Sequence, residues 1–203
     1  KEILINNDLF VENVHFSQIT TSPEDIGWRA VAANIADLAS SGANEIIGIT
    51  VGLVAPPNTD WLWVEGVYKG LKEGLNNFGG EILGGDCSQG TQKIISITAI
   101  GNQGPIKIRR YFAKPGDLII TTGIHGLSRL GLAILQNDPK ANHSSLGRQI
   151  KSLAIQAHKR PYPAIKALKS LEKCKPAQTS RQIAGTDSSD GLLDAIQNIC
   201  LSS

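Results

Sequence analysis

No methionine occurs among the 203 residues, not even at the first position. The chain opens in a strand-like segment, KEILIN, and stops at LSS soon after a helix begins, so it reads as an internal piece of a longer protein. No window approaches the ~20 apolar residues that a membrane-spanning helix requires. No basic N-terminal stretch leads into an apolar core, as a signal peptide would. Cysteine is scarce: Cys87, Cys174 and Cys200 form neither a CxxC pair nor a zinc pattern. They read as small core residues or bystanders in a reduced, cytoplasmic protein. Aromatics make up 5%, and 20 Lys+Arg stand against 18 Asp+Glu, which leaves no evident nucleic-acid footprint. A P-loop, a GxGxxG fingerprint, HExxH and GxSxG are all missing. The 41% hydrophobic content excludes a disordered chain.

What is present alternates strand and helix signals. Residues 2–6 read as a strand, with Asn6-Asn7-Asp8 near its end. Ser22-Pro23-Glu24-Asp25 starts a helix: Ser22 as cap, Pro23 at the first turn and Asp25 closing a capping box. That helix runs to Ser41 and stops at Gly42. Strands at 46–54, 81–83 and 94–101 flank a helix at 60–78. The order β-α-β-α-β-β fits an α+β domain of about 100 residues. Residues 102–116, with Gly104-Pro105 and Lys114-Pro115-Gly116, look like a boundary between units 1–103 and 113–203. The second unit starts with a strand at 117–123 and continues in helices near 126–136, 147–158 and 162–172. Residues 137–148 read as a loop. GTDSSDG at 185–191 reads as a turn that opens a last amphipathic helix. Trp28, Trp61 and Trp63 read as packing residues.

Five aspartates stand at strand ends, in glycine turns or on a small-residue helix face. Asp86 follows Gly84-Gly85, where glycines let the backbone turn and approach a ligand closely; an ordinary Asx turn is the alternative. Asp187 and Asp190 lie in Asp-Ser-Ser-Asp-Gly. Two carboxylates and two hydroxyls before a helix can hold Mg²⁺ and meet a phosphate, or Ser188 or Ser189 can simply cap it. Asp37 shares a small, polar helix face with Asn34, Ala33 and Ala30; a solvated surface acid is the alternative. Asp8, with Glu12 and His15 downstream, reads alone as an edge-strand charge, and His15 as a structural histidine. Arg109 and Arg110 are the basic candidates for phosphate contact, or a solvated boundary pair. If the five aspartates converge, mutual repulsion calls for divalent cations. Mg²⁺ and nucleotide phosphates together suit phosphoryl transfer.

As a set, DLFVENVHF at 8–16, NIADLASSGA at 34–43, ILGGDCSQG at 82–90, AKPGD at 113–117, TTGIHGLSRLGLAIL at 121–135 and DSSDGLLDAI at 187–196 resemble the AIR synthase-related superfamily. Within it, the thiamine-monophosphate kinase family is most similar. The resemblance implies a two-domain α+β architecture of mixed sheets packed with helices, and a homodimer joined through the sheets of the N-terminal domains. It implies an ATP- and Mg²⁺-dependent transfer that converts thiamine monophosphate to thiamine diphosphate in line, without a covalent enzyme intermediate. Neither nucleic acid nor membrane is implied as a partner. Asp8, Asp37, Asp86, Asp187 and Asp190 would be Mg²⁺ ligands. Asn7 stands where Thr or Ser is usual, and its amide oxygen would face a metal. Gly85, Asp86, Arg110 and Ser189 would contact ATP, and His15 the acceptor. The chain starts after the family's Gly-Asp-Asp motif and ends before its Gly-Gly-Glu-Asp-type segment. Cys87, Leu9 and Ser40-Ser41 also depart from the usual residues, although none removes a carboxylate. Two rivals remain: a sibling enzyme with another acceptor, and a non-catalytic nucleotide-binding dimer module.

Overall fold

The computed structural model describes residues 2–142, 146–174 and 182–203. Strand β1 (Ile3–Val11) leads to helix α1 (Pro23–Ser40), strand β2 (Ala43–Ala55), helix α2 (Trp61–Phe78), and strands β3 (Glu81–Gln89) and β4 (Ile94–Gln103). These strands form one mixed sheet in the order β1-β4-β2-β3. The β1–β4 and β4–β2 pairs are antiparallel, and β2–β3 is parallel across the α2 crossover. Alternation supplies the core. Ile49, Val51 and Leu53 on β2 and Ile95, Ile97 and Ala99 on β4 are buried on one face. That face packs against Ile26, Val31, Ile35 and Leu38 of α1 and Val67, Leu71 and Leu75 of α2. The two helices meet at glycines: a Cβ at Gly27 would overlap the Val67 carbonyl, and one at Gly70 the Glu24 carbonyl. The other sheet face is open, with Ile3, Ile5 and Leu9 each more than half exposed.

The helix signals in the sequence match the structure closely. Ser22 caps α1 by accepting from the Asp25 N–H, and Asp60 caps α2 by accepting from the Leu62 N–H. Asp25 does not close a capping box, however; its carboxylate reaches across to Arg160 instead. Three strand readings change. β1 runs on to Val11, so Asp8 lies inside it. β3 continues through Gly84-Gly85-Asp86 to Gln89 because β2 offers a parallel ladder along the whole segment. Residues 117–123 form no strand: no described segment pairs with them, and Leu118, Ile119 and Ile120 are exposed. Trp28 and Trp63 are buried as expected, whereas Trp61 is 72% exposed at the first turn of α2. Cys87 and Cys200 are exposed free thiols; the side chain of Cys174 lies outside the described residues.

Strand β5 (Lys107–Arg109) pairs in parallel with β6 (Gln182–Ala184), and a 3-10 turn at Arg110–Phe112 follows β5. Helices α3 (Leu127–Leu135), α4 (Pro139–Asn142), α5 (Arg148–Lys159), α6 (Ile165–Cys174) and α7 (Leu192–Ser202) make up the rest. The α4 turn interrupts the loop expected at 137–148. Neither Ser188 nor Ser189 caps α7; Gly191 occupies that position. Among the described residues, no helix is long and apolar enough to cross a membrane. A clasp fastens the end of α5 to α1 and α2. Arg160 donates to Asp25 at 2.6 Å and to Glu73 at 2.8 Å. Its guanidinium lies 5.3 Å from the Trp28 ring centre. The Trp28 indole N–H donates to the Pro161 carbonyl at 2.8 Å, and Tyr162 meets Phe78 edge-on.

Candidate active site

Strand periodicity decides which β1 residues reach the site. Successive side chains point to opposite faces, so Asn6 and Asp8 turn toward α1 while Asn7 turns to the open face. The Asn6 amide donates to Asp37 at 2.7 Å and to Asn34 at 3.1 Å. Asn34, fully buried, is fixed in turn by donating to the Ala30 carbonyl at 2.9 Å. The polar helix face read from the sequence is therefore real, and its occupant is a strand side chain. Asn7 is not part of it. Its amide donates to Ser96 Oγ, the Ile97 carbonyl and Thr98 Oγ1 on the other side of the sheet. Asn6 is the amide beside the carboxylates, and period-2 alternation from Asp8 is the signal that would have found it.

Asp8, Asp37 and Asp187 sit close enough to perturb one another. Burial, then the charges of Asp187 and Asp8, push the Asp37 carboxyl up to about 7. Burial and the Asp187 charge also raise Asp8, partly opposed by contact with Asp37 and by the nearby His15. Burial acts to raise Asp187 as well. Hydrogen bonds from Ser189 and Thr186 outweigh it and hold this carboxyl below its ordinary value. Asp187 Oδ2 accepts from the Ser189 hydroxyl at 2.6 Å and from its N–H at 3.2 Å. Ser189 is thus bound into the turn, and Asp190, exposed, follows it.

A cleft of about 430 Å³ is lined among others by Asn6, Asp37, Arg110, Thr186, Asp187 and Ser189; Asp8 stands beside it, in contact with Asp37. The cleft opens at the C-terminal ends of the parallel β5–β6 pair. Of the two arginines, Arg109 is already engaged, donating to the Ser41 and Ile108 carbonyls at 3.0 and 2.7 Å and to the Gln103 side chain at 3.3 Å, with Glu2 at 3.6 Å. Arg110 is exposed at the cleft, and its Nε donates to Thr186. His15 stands in a tight turn after β1. Its Nδ1 accepts from the Val11 N–H at 3.1 Å, so the neutral ring carries its proton on the exposed Nε2. A larger cleft of about 810 Å³ lies elsewhere, lined in part by Glu12, Trp63 and Lys93. Its charged groups are already engaged: the Lys93 ammonium is 3.3 Å from Glu12 and 4.9 Å from the Trp63 ring centre, and Asp60 caps α2.

Asp86 and Gly85 do not reach the smaller cleft within this chain. The ladder aligns Leu9, Ser96, Gly52 and Asp86 in one row, so Asp86 projects from the open face. It is three strands from β1, roughly 14 Å away. Gly85 is needed for a different close approach, because a Cβ there would overlap the Val51 carbonyl of β2.

The cleft's donor set fits a hard divalent cation. Asp37 and Asp187 line the cleft and Asp8 stands against Asp37; burial and mutual repulsion push Asp37 and Asp8 upward, and the hydroxyl and amide oxygens beside them suit Mg²⁺. Among the described residues, no three His, Cys, Asp or Glu side chains close on one metal position by themselves. An ion held there would need further oxygens from phosphate or water, as Mg²⁺ usually does.

A model of the AIR synthase related protein N-terminal domain matches residues 1–102. The chain belongs to the AIR synthase related family. A thiamine-monophosphate kinase of Prochlorococcus marinus is 57% identical over 203 residues, covering 100% of this chain and 61% of that protein. A crystal structure of thiamine monophosphate kinase from Aquifex aeolicus superposes with a TM-score of 0.84 at 26% identity, covering 99% of this chain and 63% of that one. A ThiL structure complexed with AMPPCP and TMP matches equally well, with a TM-score of 0.84 at 26% identity, covering 99% and 60%. The chain spans about three fifths of the length of the curated relatives it matches.

Proposed function

We propose that the full-length protein is an ATP- and Mg²⁺-dependent thiamine-monophosphate kinase. The observation that carries this reading is the meeting of Asp37, Asp187 and Arg110 at one cleft, with Asp8 in contact with Asp37 beside it. Such a set repels itself until cations and phosphate oxygens neutralise it. The similarity to thiamine-monophosphate kinases, one of them bound to an ATP analogue and TMP, supports nucleotide and acceptor as the ligands.

Asp8, Asp37 and Asp187 would hold Mg²⁺, with Asp190 beside them. The ion supplies neutralisation of phosphate charge. Arg110 presents its two Nη groups to a phosphate, a geometry that a guanidinium fork matches. Ser189, whose N–H and hydroxyl are both given to Asp187, would meet the nucleotide as part of the wall of the same turn. His15 Nε2–H serves the acceptor. An acceptor phosphate is already ionised at neutral pH, so positioning and charge neutralisation suffice and no strong general base is required. The units 1–103 and 113–203 form the two sides of the site. We also propose that two copies pair through the open sheet face carrying Ile3, Ile5 and Leu9, which places Asp86 and Gly85 at the service of the site from that interface. The cytoplasm is the compartment this chemistry suits.

Acceptor-dependent ADP release separates this reading from its rivals. Thiamine monophosphate should raise ADP release from Mg-ATP well above the background with water alone. Equal release with and without it would remove the kinase reading and leave a nucleotide-binding module or an enzyme with another acceptor.

A further inference from the structure

The link between Arg110 and Asp187 deepens the kinase reading and rests on it. Arg110 directly follows β5, and Thr186 follows β6 at the same end of the pair. Arg109 pairs with Ala184, and the Gly185 N–H donates to the Arg109 carbonyl at 3.3 Å. Arg110 Nε donates to Thr186 Oγ1 at 3.2 Å, and that hydroxyl donates to Asp187 Oδ1 at 3.2 Å. A guanidinium has only donors, a carboxylate only acceptors, and a hydroxyl one proton with two lone pairs. The direction of the chain is therefore fixed by chemistry: Nε–H to hydroxyl, hydroxyl to carboxylate.

We infer that Thr186 is a positioning residue that locks the phosphate-binding guanidinium of Arg110 to the carboxylate of Asp187. With Nε engaged, both Nη groups of Arg110 remain for a phosphate, and the guanidinium plane is set before the ligand arrives. With Oδ1 engaged by Thr186 and Oδ2 by Ser189, the carboxylate plane is set as well. One hydroxyl thus holds two groups of opposite charge, from two different elements, in a single orientation. A freely rotating Arg110 would lose its ordering entropy on binding. Serine keeps the hydroxyl, whereas valine keeps the branched shape and loses both hydrogen bonds.

The test compares Thr186→Val and Thr186→Ser in the full-length protein. Mg-ATP binding is measured by calorimetry, KM is measured for each substrate, and Tm is recorded without ligands. The expected result for Thr186→Val is Mg-ATP binding and KM for ATP both weakened about tenfold, the size of one charge-assisted hydrogen bond. KM for thiamine monophosphate should stay at the wild-type value, the unliganded Tm should fall by about a few degrees at most, and Thr186→Ser should restore ATP binding. Wild-type ATP binding by Thr186→Val, or a Tm loss shared by both variants with no selective effect on ATP, overturns the inference. Those outcomes leave the kinase reading standing if the wild type forms thiamine diphosphate. A wild type that binds Mg-ATP without forming thiamine diphosphate removes the kinase reading, and the ratio of ATP affinities still decides the role of Thr186.

Discussion

Replacing Asp37 by asparagine is expected to cut turnover by about two to three orders of magnitude, the cost typical of removing one preorganised charge contact at a phosphoryl or oxyanion site. The same substitution should make the Mg²⁺-free protein more stable. Asp37 sits among Asp8 and Asp187 in a partly buried cleft, and its carboxyl is pushed up to about 7 by burial first and by those two charges next. The folded state therefore binds its proton more tightly than the unfolded chain. The stability linked to that proton is full below the ordinary carboxyl range near 3.8 and is lost as pH rises through about 7. The Asp37→Asn side chain carries no such loss, and its amide oxygen still accepts from Asn6. With allowance for solvent screening, the gain at pH 8 is about 1–2 kcal/mol. Urea denaturation of both proteins at pH 5 and pH 8, without Mg²⁺, measures it. A variant less stable than wild type at pH 8 would show that Asp37 is not held against repulsion.

Loss of the Arg160 clasp is the second large effect. Asp25 is 9% exposed and takes its shortest ion pair, 2.6 Å, from Arg160. The same guanidinium bridges to Glu73 and covers Trp28. Arg160→Ala leaves a buried carboxylate with the weaker company of Lys159, at 4.0 Å, and Arg29 on its own helix. Breaking one side of a buried pair costs about 3–5 kcal/mol. Partial exposure of Arg160 and help from Lys159 reduce the expected loss to about 2–3 kcal/mol. Arg160→Lys should recover only part of it, because an ammonium cannot span two carboxylates and an indole face at once. Equilibrium denaturation of the full-length protein checks this. A change under about 0.5 kcal/mol would place the clasp with ordinary surface pairs.

Short-range signals carried most of what the sequence disclosed. Ser22 and Asp60 bond to N–H groups two or three residues on, so the starts of α1 and α2 were visible in a few letters. The core of β4 followed from alternation alone. What stayed hidden depended on partners distant in the chain. Gly84-Gly85-Asp86 looked like a turn because glycine marks both turns and close backbone contacts; only the presence of Val51 beside Gly85 decides between them. Residues 117–123 have strand composition, yet a strand exists only where another segment completes its ladder. The family resemblance points to Asn7, whereas the pleat turns Asn6 to the carboxylates. Asp37, Asp187, Arg110 and Ser189 were all legible and all line one cleft. Their convergence could be anticipated from chemistry, whereas the displacement of Asp86 to the open face required the sheet order β1-β4-β2-β3. Thr186 gave no signal of its own, being one hydroxyl beside a more conspicuous acid.

The most direct measurement is product analysis by ³¹P NMR. The full-length protein is mixed with Mg-ATP and thiamine monophosphate, and the phosphorus signals are followed to completion. The account predicts a new pyrophosphate pair belonging to thiamine diphosphate, formed in equal amount with ADP and lost in Asp37→Asn. ADP accumulating with inorganic phosphate while thiamine monophosphate remains unchanged would contradict it.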